Sequence, residues 1–477
     1  MTHPCDLTAL DARRLIGAKA LSPVELMDSC LSRIAAINPV LNAIIEMDET
    51  MARDGAKAAE AAVMRGDPLG PLHGLPLALK DGRDAAGLKT THGSRVFKDH
   101  MPEEDDPGVA NLRAAGAIPF AKTNQPEFAA GGNTRNLLFG ATGNPFDPAL
   151  TPSGSSGGSA AALATAMVPL ATGSDYGGSV RTPATYCGIA GFRPSLGTVP
   201  HASGTIMSPF GVMGAMGRTM RDTHLLLAAE AVHDPRDPFS TPDKPLAPPV
   251  PADLSSLRVA FSADLGAAPV SAEVRALFAE RSAALSNLFA VAEEAAPDFG
   301  PRVHEMFEVT RGVAFMATHL EVYEKHRDQL DANIIENCER GLTFNAGEVA
   351  WGQREQAALY RRMLAFFERH DVLIAPAASV QPFPHSQLFI REIDGEAMPS
   401  YMRWLAITYL PTLGFCCAAV IPCGRDANGL PFGLQIIGPF RGDARVLSVA
   451  LALEEALAGD EATARPLPDL QKLAQKA

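Results

Sequence analysis

Residues 151–183, TPSGSSGGSAAALATAMVPLATGSDYGGSVRTP, are compositionally unlike the rest of the chain, and they constrain it most. On composition alone, Gly154-Ser155-Ser156-Gly157-Gly158 also reads as a flexible loop. Its neighbours argue for more. An Ala-rich run begins immediately, which predicts a helix whose N-terminus carries the serines, where free N–H groups and the helix dipole favour developing negative charge. Pro169 ends that run. After a short apolar segment, Gly177-Gly178-Ser179 repeats the small-residue pattern. Glycines beside a serine let backbone N–H groups converge on one oxygen, as an oxyanion hole requires.

A serine hydroxyl needs a base before it can act as a nucleophile. Twelve histidines are present, but none sits in a triad-like local motif, and His73 and His92 read as ordinary loop residues. The other available base is a desolvated lysine. Lys80 ends the apolar run Leu75–Leu79, so its amine can be drawn into low dielectric and its pKa lowered, unless Asp81 points inward and opposes the shift. A solvated Lys-Asp pair at a strand end is the plainer reading of the same two residues. No HExxH motif and no clustered His/Cys ligand spacing appears, so neither a metal nor a cofactor is expected.

The coarse organisation is α/β. Ser22-Pro23 followed by Glu25 predicts a capped helix start, with Leu26, Cys30, Ile34 and Ala35 as its apolar stripe. Met47 through Met64 is helix-prone and Leu75–Leu79 strand-like; 111–115 reads as helix and 117–120 as strand, an alternation that suggests layering. His233 to Ser256 carries seven prolines and reads as an extended connection between two halves. Beyond it a strand is expected at 257–261, a long helix at 271–295, a helix at 355–369 and a strand at Val372-Leu373-Ile374. The uncharged stretch Trp404–Gly424 is broken by Pro411, Gly414 and Pro422, which fits buried core pieces better than a membrane span.

At 477 residues the chain is long enough to bury a core without disulfides or metals. Its net charge of −13 repels phosphate backbones, so nucleic acid is not an expected partner. Seven scattered cysteines without a CxxC pair favour reduced thiols in a cytoplasmic protein. The N-terminus, MTHPCDLTAL, lacks a signal-peptide pattern.

Three ordered motifs then become specific: Pro71-Leu72-His73-Gly74-Leu75-Pro76-Leu77-Ala78-Leu79-Lys80-Asp81, Ser153-Gly154-Ser155-Ser156-Gly157-Gly158-Ser159, and Asp175-Tyr176-Gly177-Gly178-Ser179-Val180-Arg181-Thr182-Pro183-Ala184. Together they resemble the amidase signature family, and the likeness runs from about Asp6 to about Ala458. Further matches are Thr123-Asn124 with Glu127-Phe128, 140–145, and 429–438. The resemblance implies an α/β fold with a large mixed β-sheet covered by helices on both faces. It implies one domain over 1–477, with a catalytic core at about 6–232, the Pro-rich connection at 233–256, and a C-terminal half at about 257–462 completing the sheet and the substrate pocket. It implies a Ser–cis-Ser–Lys triad: Ser179 as nucleophile, Ser155 on a cis peptide bond as relay, and Lys80 as terminal base. The N–H groups of Tyr176, Gly177, Gly178 and Ser179 would form the oxyanion hole, and Ala129 would contact substrate. A small-molecule amide is the expected partner, with no nucleic acid and no membrane; a homodimer is expected only at the level of the family.

The chain departs from the family pattern where Ser153 replaces a usual glycine, Arg193 a common lysine, and Cys416-Cys417 a usual Pro-Ala. Two other functions compete. An α/β-hydrolase esterase would also use a GxSxG elbow, but that elbow must follow a strand, and Asn144-Pro145-Phe146-Asp147-Pro148 is loop-like. A protein like the A component of glutamyl-tRNA(Gln) amidotransferase would bring RNA and further protein components; the acidic balance and the stretch Gln329–Trp351 speak against it. Substrate choice is expected to lie in His304–Pro411, and the sequence leaves carboxamide, hydrazide and urea-like compounds open.

Overall fold

The computed structural model describes residues 3–201, 209–240 and 246–476. Eleven strands form one mixed sheet: β1 Ile44–Met47, β2 Pro76–Lys80, β3 Ile118–Thr123, β4 Leu170–Asp175, β5 Ala190–Arg193, β6 Val212–Gly217, β7 Arg258–Phe261, β8 Val291–Glu294, β9 Val372–Pro376, β10 Cys417–Arg425 and β11 Pro431–Gly438. Their order is β1-β3-β2-β4-β6-β5-β10-β11-β9-β7-β8. β3, β2 and β4 are mutually parallel, as are β9, β7 and β8, while the strands between pair antiparallel. The late strands β10 and β11 therefore lie in the middle of the sheet, and its two ends come from different parts of the chain.

Both faces of the sheet are covered. Along β2, Leu77 and Leu79 belong to one buried cluster and Ala78 to another, because successive strand residues point to opposite faces. The first cluster takes in the helices Ala9–Gly17, Met220–Glu230 and Asp443–Leu457; the second takes in Pro23–Leu41, Glu49–Arg65, Gly157–Ala164 and Arg181–Cys187. This two-sided burial explains why β2 and β3 are apolar without alternation.

Local signals located several elements. Ser22 caps Pro23–Leu41 by accepting from Val24 and Glu25 N–H, and Glu25 returns a bond to Ser22 N–H. Trp404–Gly424 is a short turn, the helix Ala406–Leu413 and most of β10, all buried except Phe415, and no helix among the described residues is long and apolar enough to cross a membrane. Other boundaries differ from expectation. The helix expected at 271–295 spans Ala272–Leu285 and stops there, because the chain instead pairs β8 with β7 at the sheet edge. The helix expected from Glu355 starts at Ala346, where Asn345 and Glu348 form a capping box. β1 carries no strand signal beyond Ile44-Ile45. In the Pro-rich connection Pro242 and Pro245 lie outside the described residues; the described parts are turns and extended chain, held near Leu254–Ser256 by Ala252 N–H donating to Ser448 O. All seven cysteines are buried and free.

Candidate active site

Parallel strands bring their C-terminal ends to one edge, and here that edge carries the candidate site residues. β2 ends in Lys80 and its neighbour β4 ends in Ser174-Asp175, with Lys80 N–H bonded to Thr172 Oγ1 across the pair at 2.9 Å. Ser156 stands just before the helix Gly157–Ala164, and Ser155 precedes it on a cis Gly154–Ser155 peptide. Lys80 Nζ donates to Ser155 Oγ at 2.6 Å, to Ser174 Oγ at 2.9 Å and to Ser156 Oγ at 3.0 Å. The turn after β4 carries Ser179, which is half-buried; its carbonyl accepts Ser156 N–H at 3.1 Å, tying the two serine loops together.

Lys80 is 2% exposed. Burial drives its pKa down to about 7 against a smaller opposing effect from Asp175. The opposing carboxylate is therefore Asp175 and not the adjacent Asp81. Asp81 turns away and accepts from Thr91 N–H at 2.9 Å, Gly93 N–H at 3.1 Å and Thr91 Oγ1.

Asp175 organises the turn that carries Ser179. Its carboxylate accepts from Gly178 N–H at 3.0 Å and Val180 N–H at 3.1 Å, and from Arg181 through Nη2 at 2.9 Å and Nε at 3.1 Å. Arg193 Nη1 donates to its main-chain carbonyl at 2.5 Å. Burial resists ionisation, but Arg181 and Arg193 overcome it and hold the carboxyl well below the usual range. Burial in turn lowers Arg193 to about 10, offset by Asp175. Arg181 reaches the C-terminal half, donating to Thr408 O at 2.6 Å and Thr412 Oγ1 at 2.9 Å. Because Gly178 N–H is engaged by Asp175, Tyr176, Gly177 and Ser179 remain the candidate donors to an incoming oxyanion.

Gly178 has φ +119° and leaves no room: a Cβ there would stand 2.1 Å from Thr408 Oγ1 and 2.5 Å from its Cβ. Gly178→Ala is expected to cut turnover at least about 100-fold by displacing the donors, and to destabilise by about 1–3 kcal/mol from backbone strain. Steady-state turnover together with thermal melting checks this; wild-type values in both would mean the turn yields freely.

Above this edge is a cavity of about 470 Å³. Its lining includes Lys80, Ser174, Tyr176 and Ala129, together with Phe97, Phe128, Phe315, His92, His319 and Arg311. Phe128 and Ala129 have left-handed backbones, φ +47° and +58°. Phe128 N–H donates to His92 O at 2.8 Å, so the His92 loop shapes that wall. Ser153, where the family pattern has glycine, has φ +64°, and its Oγ donates to Gly132 O at 3.2 Å. Cys416 and Cys417 are buried, and their thiols are shifted upward by that burial, Cys416 to about 12.

Sequence reasoning placed Lys80, Ser155, Ser179, Tyr176, Gly177, Gly178 and Ala129 in one region, and they do share this edge. It missed Ser174, whose only signal was its place two residues before Tyr176. It also read His92 as an ordinary loop residue and saw no metal-ligand cluster. The structure puts His92 in the cavity wall and groups it with Asp84 and His100, through a loop fold that linear spacing does not reveal. The esterase elbow falls away, since residues 142–156 contain no strand leading to Ser155.

Known proteins fit this picture. The family profile described as Amidase matches residues 25–447. The chain is 32% identical to an acylamidase of Rhodococcus erythropolis over 456 residues, covering 94% of this chain and 95% of the other. It is 33% identical to the A component of the glutamyl-tRNA(Gln) amidotransferase of Acidothermus cellulolyticus, with 94% of each covered. Among solved structures, a bacterial aryl acylamidase of the amidase signature family superposes with a TM-score of 0.90 at 26% identity, covering 99% of both chains. Fold, motif order and these matches together place the chain in the amidase signature family, as an amidase that acts on carbon–nitrogen bonds.

Proposed function

We propose that the chain hydrolyses small carboxamides carrying an aromatic or bulky apolar group, through an acyl-enzyme on Ser179. The observation that carries this reading is the buried Lys80 amine 2.6 Å from Ser155 Oγ at the cavity floor. Neutral Lys80 takes the Ser155 proton as Ser155 takes that of Ser179, and Ser179 Oγ bonds to the amide carbon. The carbonyl oxygen becomes an oxyanion facing the Tyr176, Gly177 and Ser179 N–H groups. The proton returns along the same path to the leaving nitrogen, the C–N bond breaks, and water then releases the acid from Ser179. Phe97, Phe128 and Phe315 give the cavity flat apolar walls suited to an aryl group, and the acylamidase relatives support the same class.

A fluorophosphonate probe followed by peptide mass spectrometry is expected to give one adduct, on Ser179. An adduct on Ser156 would overturn the assignment. The amidotransferase relatives keep a second reading alive. The purified chain alone is expected to release amine from a simple aryl amide; strict dependence on misacylated tRNA and further protein components would favour the second reading.

A further inference from the structure

The loop after β2 brings Asp84, His92 and His100 together. One ligating atom of each lies within 4.8 Å of the other two. His100 Nε2 is 3.5 Å from Asp84 Oδ1, close to the roughly 3.4 Å that separates two ligands of a tetrahedral zinc with bonds of about 2.0–2.1 Å. The His92 and His100 rings are stacked, with centroids 6.3 Å apart and planes within 21°. Asp84 Oδ1 is shielded from water and accepts no hydrogen bond, an arrangement that costs free energy unless something satisfies the oxygen.

We propose that Asp84, His92 and His100 form a site for a divalent cation of the zinc type at the cavity wall, and that filling it restricts the substrate cavity. Two imidazoles and one carboxylate, with water in the fourth position, are an ordinary zinc ligand set. The link to the cavity is direct. His92 lines it, the His92 ring stacks on Phe128 with centroids 6.2 Å apart, and the His92 carbonyl holds Phe128 N–H. A metal that fixes His92 fixes the wall beside Ala129. The triad lies outside the ligand set, so the metal-free enzyme keeps its chemistry.

The test uses the full chain dialysed against EDTA. Calorimetric titration with zinc chloride is expected to give one ion per chain, and cobalt substitution the visible bands of a tetrahedral site. Asp84→Asn and His100→Gln are each expected to weaken zinc at least about tenfold, with melting temperatures of the metal-free variants matching wild type. Zinc is expected to slow turnover of the wild type but not of His100→Gln, whose metal-free turnover equals wild type. Absence of zinc binding, or equal affinity in wild type and both variants, would overturn the site. Equal inhibition of wild type and His100→Gln would overturn its action on the cavity. The binding arm is read without turnover, so its outcome is independent of the substrate assigned above.

Discussion

Alanine at Ser179 is expected to lower amide turnover by about 10⁶-fold, the loss seen when the nucleophile of a serine hydrolase is removed. The fold should barely respond. Ser179 is half-buried, and its structural tie to Ser156 runs through the main-chain carbonyl, which alanine keeps. The turn is held by Asp175 and Arg181, whose bonds do not involve the Ser179 hydroxyl. Substrate affinity, which the proposed function assigns to the aromatic cavity wall, should also remain within a few fold. The expected signature is therefore a collapse of kcat with unchanged melting temperature and unchanged calorimetric Kd. Ser155→Ala should cost less than Ser179→Ala, because Lys80 Nζ still has Ser156 and Ser174 hydroxyls within 3.0 Å. If Ser179→Ala kept turnover within about 100-fold of wild type, the covalent step would lie on another group and the acyl-enzyme proposal would fail.

The sequence carried the family and its fold class, and it gathered the candidate site residues into three motifs. Lys80, Ser155 and Ser179 were legible because each sits in a motif whose residues have few other uses: an apolar run ending in lysine, a glycine–serine block opening a helix, and a glycine pair before a serine. Family resemblance supplied the roles. What could not be read was contact between distant segments. Asp175 and Arg181 stand inside a quoted motif, but their work depends on Thr408 and Thr412, more than 200 residues away. The sequence offered Asp81, the neighbour of Lys80, as an opposing carboxylate only if it pointed inward; the Thr91–Gly93 loop holds Asp81 away, and β4 delivers Asp175 instead. The same limit hid the Asp84–His92–His100 group. Among the elements, apolar runs such as β2 and β3 were clear. β8 was not: its four residues are all exposed and follow a helical pattern, so only pairing with β7 makes them a strand.

Lys80 joins the two themes, because the burial that would make it a base also costs stability. With its pKa at about 7, roughly half the amine is neutral at pH 7, and the rate should rise with pH through about 7 and level off in the mildly alkaline range. Lys80→Ala should remove that rise and lower turnover by about 10⁴-fold or more, since no other base takes the Ser155 proton. The same amine in the unfolded chain has a pKa of about 10.4. Between pH 7 and about 10.4 the unfolded state thus binds more protons than the folded state, so wild-type stability should climb with pH across that window. The gain amounts to about 5 kcal/mol in all, at about 1.36 kcal/mol per pH unit. Lys80→Met fills the space without a titrating group and should lack the climb. Urea unfolding of both proteins at matched pH values isolates the effect, because the hydrogen bonds lost from Ser155, Ser156 and Ser174 shift the variant's curve by an amount independent of pH. The expected result is that wild type gains stability relative to the variant from pH 7 to 10, whatever the offset between the curves at pH 7. Parallel curves would mean that Lys80 stays protonated in the fold, and a lysine that stays protonated cannot start the proton relay.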